Sequence, residues 1–471
     1  MNERYGAATS GRPVAAARRI AADVLAAVRV DDAYANLLLP ARIAQANLST
    51  VDAALATELT YGTLRMQGRY DHIIRIAAKR EVTAIDPQVL DVLRLGVHQL
   101  LATRIPPHAA VGDTVTLAPR KATGFVNGVL RTIARSTPAE WDARLAAGLS
   151  GDALLAADYS HPEWVIGAFR AALKADGRSR ELDDLLEADN LAPAVSLVAL
   201  PGLSRVDELG EAGILSPTAA RAPSGDPADV AAVAAGRARV QDEGSQLAAL
   251  ILSRARPVRP GERWLDMCAG PGGKAALLVA EARTGGAEVL ANELIPARAG
   301  LVRNALAVFD PAPEIVVGDA TRFATTDPGG FDRILLDAPC TGLGALRRRP
   351  EARWRKTPAD LVELVALQTR LLDAAVAALA PGGLLAYVTC SPHPEETRDA
   401  VAGVLQRHPG LTALDTREVA AKIATVALGA GVGPALQLWP HAHGTDAMFI
   451  QLLTHEPAPV EPAPVDPRVG S

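Results

Sequence analysis

Two segments fifty residues apart each carry a cysteine just past an apolar run. They are Ile334-Leu335-Leu336-Asp337-Ala338-Pro339-Cys340 and Leu384-Leu385-Ala386-Tyr387-Val388-Thr389-Cys390. The chain has three cysteines, so two of them stand at predicted strand exits. In an open α/β sheet, ligands bind beyond the carboxyl ends of the strands. Neighbouring strands lie about 4.8 Å apart, so adjacent strands would deliver both thiols to one pocket. A thiolate is a strong nucleophile. Taken singly, a buried cysteine more often serves as a small hydrophobe. The paired placement argues for sulfur chemistry at one site.

From Val240 onward the pattern alternates strand and helix. Arg263–Met267, Glu288–Asn292, Glu314–Val317, Asp332–Leu336 and Leu384–Thr389 read as strands. Lys274–Glu281 and Pro358–Leu379 read as helices. Alternation of this kind predicts a parallel sheet covered by helices on both faces. Met448–Leu453 reads as a late strand, expected at an antiparallel edge.

The first strand runs into Cys268-Ala269-Gly270-Pro271-Gly272-Gly273-Lys274. Glycines let the backbone turn sharply and approach a ligand closely, and the following helix N-terminus offers free N–H groups. A P-loop would need Ser or Thr after the lysine, where Ala275 stands. Gly270, Gly272 and Ala275 satisfy the weak dinucleotide pattern. S-adenosylmethionine is the third option. It asks for a carboxylate after the second strand, which Glu293 supplies, and a polar partner after the third, where Asp319 lies. A dinucleotide enzyme leaves Asp319, Cys340 and Cys390 without a task.

Residues 13–138 read as an all-helical module, and 139–235 as a small α+β connector. Residues 236–455 form the α/β domain, and the Pro-rich 456–471 is expected to be disordered. Of the 471 residues, those up to Pro138 carry seventeen Lys and Arg against eleven Asp and Glu, although the whole chain is at −5. A basic module on an acidic body suits a polyanionic partner. No apolar run approaches the ~20 residues that span a bilayer. No signal peptide is apparent, and three cysteines cannot make a disulfide framework. A cytoplasmic protein without metal is the expectation.

Asp-Met-Cys-Ala-Gly-Pro-Gly-Gly-Lys, Leu-Asp-Ala-Pro-Cys-Thr-Gly and Tyr-Val-Thr-Cys-Ser, in this order, resemble the RNA cytosine-C5 methyltransferase family. Glu58-Leu59-Thr60-Tyr61-Gly62 and Phe125-Val126-Asn127-Gly128-Val129-Leu130-Arg131 resemble the NusB-type RNA-binding fold. The combination is similar to bacterial small-subunit rRNA methyltransferases of the RsmB/Sun/Fmu type. The resemblance implies a NusB-like domain, a connector and a Rossmann-like class I methyltransferase domain. It also implies S-adenosylmethionine as cofactor and 16S rRNA as partner; separately, a monomer is the expectation. By the same resemblance, Cys390 is the nucleophile and Cys340 assists product release. The cofactor contacts would be Cys268, Ala269, Gly270, Pro271, Gly272, Gly273, Lys274, Glu293, Asp319 and Asp337. Asp337 and Lys274 are further candidates for stabilising charge on the base.

Cys268 lies inside the cofactor loop, where its backbone matters more than its sulfur. His393, between two prolines, is expected to be incidental. Arg347-Arg348-Arg349, Arg353, Arg355 and Lys356 follow Cys340 and suit RNA phosphates, with Trp354 as a stacking surface. The alternative is an inward-packed Trp354. A tRNA-directed relative, a non-catalytic assembly factor and a dinucleotide oxidoreductase remain as rival readings.

Overall fold

The computed structural model describes residues 16–223, 225–429 and 431–455. The Pro-rich 456–471 and residues 13–15 of the helical module lie outside them. The chain divides into two compact units. One runs to Ile166 and includes Leu346–Arg355; the other holds Gly167–Ala345 and resumes at Lys356.

The first unit is helical. Ala16–Val30, Ala35–Ala46, Thr50–Arg65, Gln67–Ala78, Pro87–Ala102, Pro107–Val115 and Thr123–Ile133 surround one apolar core. Their boundaries follow local chemistry. Ser49 accepts from the Asp52 N–H, capping Thr50–Arg65. Asp86 caps the helix that begins at Pro87, whose fixed φ suits a first turn. Gly62 leaves room for the His98 ring, which meets Tyr70 Oη at 2.8 Å and Glu58 at 3.3 Å. Both segments that carried the NusB resemblance therefore lie on packed helices. Pro138–Gly148 and Gly151–Tyr159, from the stretch expected to form a connector, belong to this unit as well.

The second unit contains two sheets. The smaller is antiparallel and pairs Glu211–Ala212, Ala219–Arg221, Ser196–Ala199 and Ala238–Val240 in that order. The larger holds β1 (Arg263–Asp266), β2 (Glu288–Glu293), β3 (Glu314–Val317), β4 (Phe331–Asp337), β5 (Leu379–Thr389), β6 (Leu411–Ala413) and β7 (Phe449–His455). Their spatial order is β6-β7-β5-β4-β1-β2-β3, with Leu436–Gln437 also paired to β7. β1 to β5 are parallel and β7 is antiparallel to β5. The last strand is thus antiparallel but not an edge, because β6 pairs on its outer side. Helices α1 (Gly273–Thr284), α2 (Pro296–Leu306) and α3 (Pro358–Ala378) connect the parallel strands. The central strands are buried on both faces, as parallel sheets require.

The basic segment after Cys340 does not act as an open phosphate clamp. Arg353 is fully buried in the helical unit and donates to the backbone carbonyls of Arg65 and Ser160 at 3.2 and 2.9 Å. Trp354 packs against Gly68, where a side chain would collide with its ring. Arg355 donates to the carbonyls of Val28 and Ala33, and its guanidinium lies over Tyr34 together with that of Arg349. Within this segment only Arg349 is exposed. Arg353 satisfies carbonyls that have no water to turn to. Arg353→Ala should therefore destabilise the helical unit by about 2–4 kcal/mol. Arg353→Lys should recover little of it, because an ammonium lacks the planar fork. Calorimetric unfolding of the full chain checks both.

Candidate active site

β4 and β5 are neighbours, with Leu336 opposite Tyr387 and Asp337 opposite Val388. This register is strongly specified, because a one-residue slip would turn buried side chains to the wrong face. The Ala338 N–H continues the ladder to the Val388 carbonyl at 2.9 Å. The two exits therefore coincide, and Cys340 Sγ lies 3.5 Å from Cys390 Sγ. The turn after Cys340 closes on the other exit through the Gly344 N–H, which donates to the Cys390 carbonyl at 2.8 Å.

The two sulfurs are not equivalent. The hydrogen bond with Cys390, followed by burial and the charges of Cys390, Glu396 and Asp337, raises the Cys340 pKa well above that of an ordinary thiol. Cys340 is thus the thiol of the pair that holds its proton the more firmly. Lys274, on the first turn of α1, places Nζ 2.8 Å from Asp337 Oδ2. Burial alone would lower its pKa. The charge and hydrogen bond of Asp337, with Cys390 behind them, hold it above the usual value. The Lys274 ammonium is therefore coupled electrostatically to Cys390 as well as to Asp337. The third thiol differs: burial, reinforced by Asp266, Asp337 and Glu293, pushes Cys268 up and keeps it protonated. His393 accepts from the Glu395 N–H and caps a short turn, so its role is local.

The glycine loop is fixed by its neighbours. Glu293, at the end of β2, accepts from the Gly270 N–H at 3.0 Å and the Ile295 N–H at 3.0 Å. Arg298 donates to the Gly270 carbonyl at 2.6 Å. Gly272 has φ +105, and a side chain there would meet Ala305 of α2. Asn292 donates to the carbonyls of Met267 and Gly318, joining the exits of β1 and β3. Asp319 follows β3 and accepts from the Thr321 N–H and hydroxyl at 2.9 and 2.8 Å. Those bonds hold its pKa below the usual carboxylate value.

Several residues here were not singled out from the sequence. Asp266 ends β1 beneath the loop. Burial and then the charge of Asp337 raise its pKa to about 8, with Lys274 opposing. The Gln241 side chain is buried against Gly273, and neither end of its carboxamide has a hydrogen-bond partner among the described residues. Around Cys340, Glu396 accepts from the Thr341 N–H at 2.7 Å, and Gln368 Nε2 donates to the Pro339 carbonyl at 2.8 Å. Asp266, Pro339 and Thr341 lay within recognised motifs. The others come from distant elements with no spacing signal.

These residues fit S-adenosylmethionine. Asp266, Glu293 and Asp337 present three carboxyl groups, countered within the strand exits by Lys274 and Arg298. That balance suits a ligand carrying an ammonium and a sulfonium. A carboxylate has about four acceptor sites, so Glu293 retains capacity for ribose hydroxyls beyond its two backbone bonds. The orphaned Gln241 amide supplies a donor and an acceptor beside the loop.

The raised pKa of Asp266 has a sign that can be tested. Between about pH 4 and 8 the folded chain keeps a proton that the unfolded chain has lost, so this group's contribution to stability falls as pH rises across that window. Asparagine carries no such penalty. The stability of Asp266→Asn relative to the parent, without ligand, should grow from pH 5 to pH 8 by an amount on the order of 2–5 kcal/mol and then level off. Melting temperatures at three pH values measure it; a constant gap would contradict the assignment.

Comparison with known proteins identifies the family. Residues 255–454 match the family model described as 16S rRNA methyltransferase RsmB/F, and residues 15–135 match the NusB family. A Mycobacterium tuberculosis protein described as a methyltransferase is 50% identical over 94% of this chain and 97% of its own length. Ribosomal RNA small subunit methyltransferase B of Erwinia tasmaniensis is 32% identical over 93% of this chain and 98% of its own. The crystal structure of PH0851, at 22% identity, covers 94% of this chain and 99% of its own with a TM-score of 0.75, a likeness of fold alone. With relatives above 30% identity that span nearly the whole of both sequences, the chain belongs to the RsmB/F family of S-adenosylmethionine-dependent rRNA methyltransferases and carries a NusB-family domain ahead of its methyltransferase domain.

Proposed function

We propose that the chain methylates carbon 5 of a cytosine in 16S rRNA through a covalent adduct between Cys390 and carbon 6. The observation that carries this reading is the approach of Cys340 Sγ to 3.5 Å from Cys390 Sγ, beside the Lys274–Asp337 pair. The choice of 16S rRNA is supported by the names of the relatives.

Carbon 5 of cytosine is too poor a nucleophile to be alkylated unaided. When bound, S-adenosylmethionine supplies an electrophilic methyl group. The Cys390 thiolate adds to carbon 6, and the displaced π electrons make carbon 5 enamine-like, which divides one hard step into easier ones. Asp337 accepts from the exocyclic amine, or from N3–H when N3 is protonated, and so favours the charge that builds on the ring. Lys274 holds Asp337 in place, and its positive charge favours the thiolate form of Cys390.

Once carbon 5 carries its new methyl group, its hydrogen must leave. The bond and charge that kept Cys340 protonated end when Cys390 becomes a thioether. Cys340 passes its proton to water and then takes the proton from carbon 5. The C–H electron pair forms the C5=C6 bond, the C6–S pair returns to Cys390, and one proton is released per turnover. Glu293, Asp319 and the loop 268–274 hold the cofactor. A base in folded RNA must be splayed out to reach this site.

The test combines two variants. Cys390→Ala should lose product formation while binding S-adenosylmethionine as the parent does. Cys340→Ser should accumulate a covalent protein–RNA adduct that disappears in the double variant with Cys390→Ala. Isolation of the adduct under denaturing conditions and sequencing of its RNA reads the target. Methylation retained by Cys390→Ala would overturn the nucleophile. An adduct formed with tRNA would move the substrate to a different RNA.

A further inference from the structure

The proposed chemistry asks for more than two thiols in one pocket. Cys340 must stay out of the way during addition and then meet the proton on carbon 5. A cysteine in the turn Pro339-Cys340-Thr341-Gly342 does not hold such a position unaided. Thr341 follows it directly, and the Thr341 backbone N–H donates to Glu396 Oε1 at 2.7 Å. The Thr341 hydroxyl also donates to Glu396, at Oε2. Gln368 Nε2, from α3, reaches Glu396 Oε1 at 3.1 Å and the carbonyl of Pro339 at 2.8 Å. The residues on both sides of Cys340 are thus tied to one carboxylate.

The other thiol's turn is tied to the same group. Ser391 Oγ lies 3.0 Å from Thr341 Oγ1. The threonine proton is already given to Glu396, so the serine hydroxyl is the donor. Ser391 then accepts from the His393 N–H at 3.2 Å. Tyr387, on β5, donates to the Glu396 carbonyl at 2.8 Å and fixes the backbone that presents the carboxylate. Glu396, Thr341, Ser391, Gln368 and Tyr387 are all buried. Every side-chain contact of Glu396 accepts a proton. A carboxylate does this with both oxygens, and a carboxamide cannot. The arrangement is an ordered chain from Ser391 through Thr341 to Glu396, closed on Pro339 by Gln368, and it spans the gap between the two cysteine turns.

We propose that Glu396 is a positioning residue: through Thr341 it fixes the turn of Cys340 relative to Cys390, and so sets the rate at which the methylated adduct is resolved. The inference rests on the thiol roles given above. Glu396 touches neither substrate nor cofactor in this role; it acts through the two turns. Deprotonation at carbon 5 needs the base at hydrogen-bond distance, and a displacement of about 1 Å can cost on the order of a hundredfold.

The test uses the full chain with 16S RNA and S-adenosylmethionine. Two readouts are followed: methylated product, and protein–RNA adduct that survives denaturation. Glu396→Gln keeps the shape and removes the second acceptor. Thr341→Val keeps the backbone N–H and removes the hydroxyl, and it serves if the first variant does not fold. Each should lower product formation about ten- to a hundredfold, leave the dissociation constant for S-adenosylmethionine within about twofold, and raise the ratio of adduct to product. Thr341→Ser should return that ratio towards the parent value. General loosening of the fold would lower product and adduct together. Loss of product without accumulation of adduct, or unchanged turnover in both variants, overturns the proposal. Cys340→Ser in parallel separates the two levels: if it traps no adduct, the reading of the thiols fails, and if it does while Glu396→Gln and Thr341→Val do not, only the role of Glu396 fails.

Discussion

The parallel pairing of β4 with β5 is the constraint on which the site depends. The middle of each strand, Ile334–Leu336 and Leu384–Val388, is apolar and buried, so the register is set by burial rather than by any contact near the active site. That register brings two exits level, and two thiols fifty residues apart come within 3.5 Å. A slip of one residue would turn Asp337 from the pocket and separate the sulfurs. The site is therefore as stable as the core beneath it. The pair Lys274–Asp337 extends it one strand further, because α1 starts where β1 ends and β1 lies beside β4.

Electrostatics divide the labour between similar groups. Three cysteines occupy one end of one sheet, yet burial among carboxyl groups silences Cys268, and a hydrogen bond keeps the proton on Cys340. What distinguishes Cys390 is its company: the charge of Lys274, and the Cys340 sulfur at 3.5 Å. The carboxyl groups are similarly sorted. Asp319, exposed and accepting two hydrogen bonds from Thr321, stays below the ordinary carboxylate value, whereas Asp266, in the same rim but dry, is raised to about 8. A rim this rich in acids is expensive without a cationic ligand.

The basic segment 346–355 shows how far composition can mislead. As a string it has the charge and the aromatic ring of an RNA contact. In the fold, Arg353 closes off helix-end carbonyls and Trp354 fills the hollow at Gly68. An arginine brings five donors on a long apolar stem, so it satisfies buried carbonyls as readily as phosphates. Nothing in the spacing of Arg347–Arg355 separates these uses.

The sequence by itself determined the parallel sheet, the glycine loop, both cysteine exits and the acids at successive strand ends, because each is written within a few neighbouring residues. Apolar runs fix strands, turn residues fix their ends, and alternation with helices fixes the sheet. Only the tertiary structure decided the rest. Gln241 beside Gly273, Asn292 bridging β1 to β3, and Glu396 tying Pro339-Cys340-Thr341 to Cys390-Ser391 join elements that are remote in the chain. Hydrogen bonds across such distances leave no periodicity. They exist because packing places a polar group where water cannot reach it and a partner must be found in the protein. The same reason explains why the connecting stretch 139–235 did not read clearly: its first two helices belong to one unit and its small sheet to the other, and partners chosen by burial are not visible from local pattern.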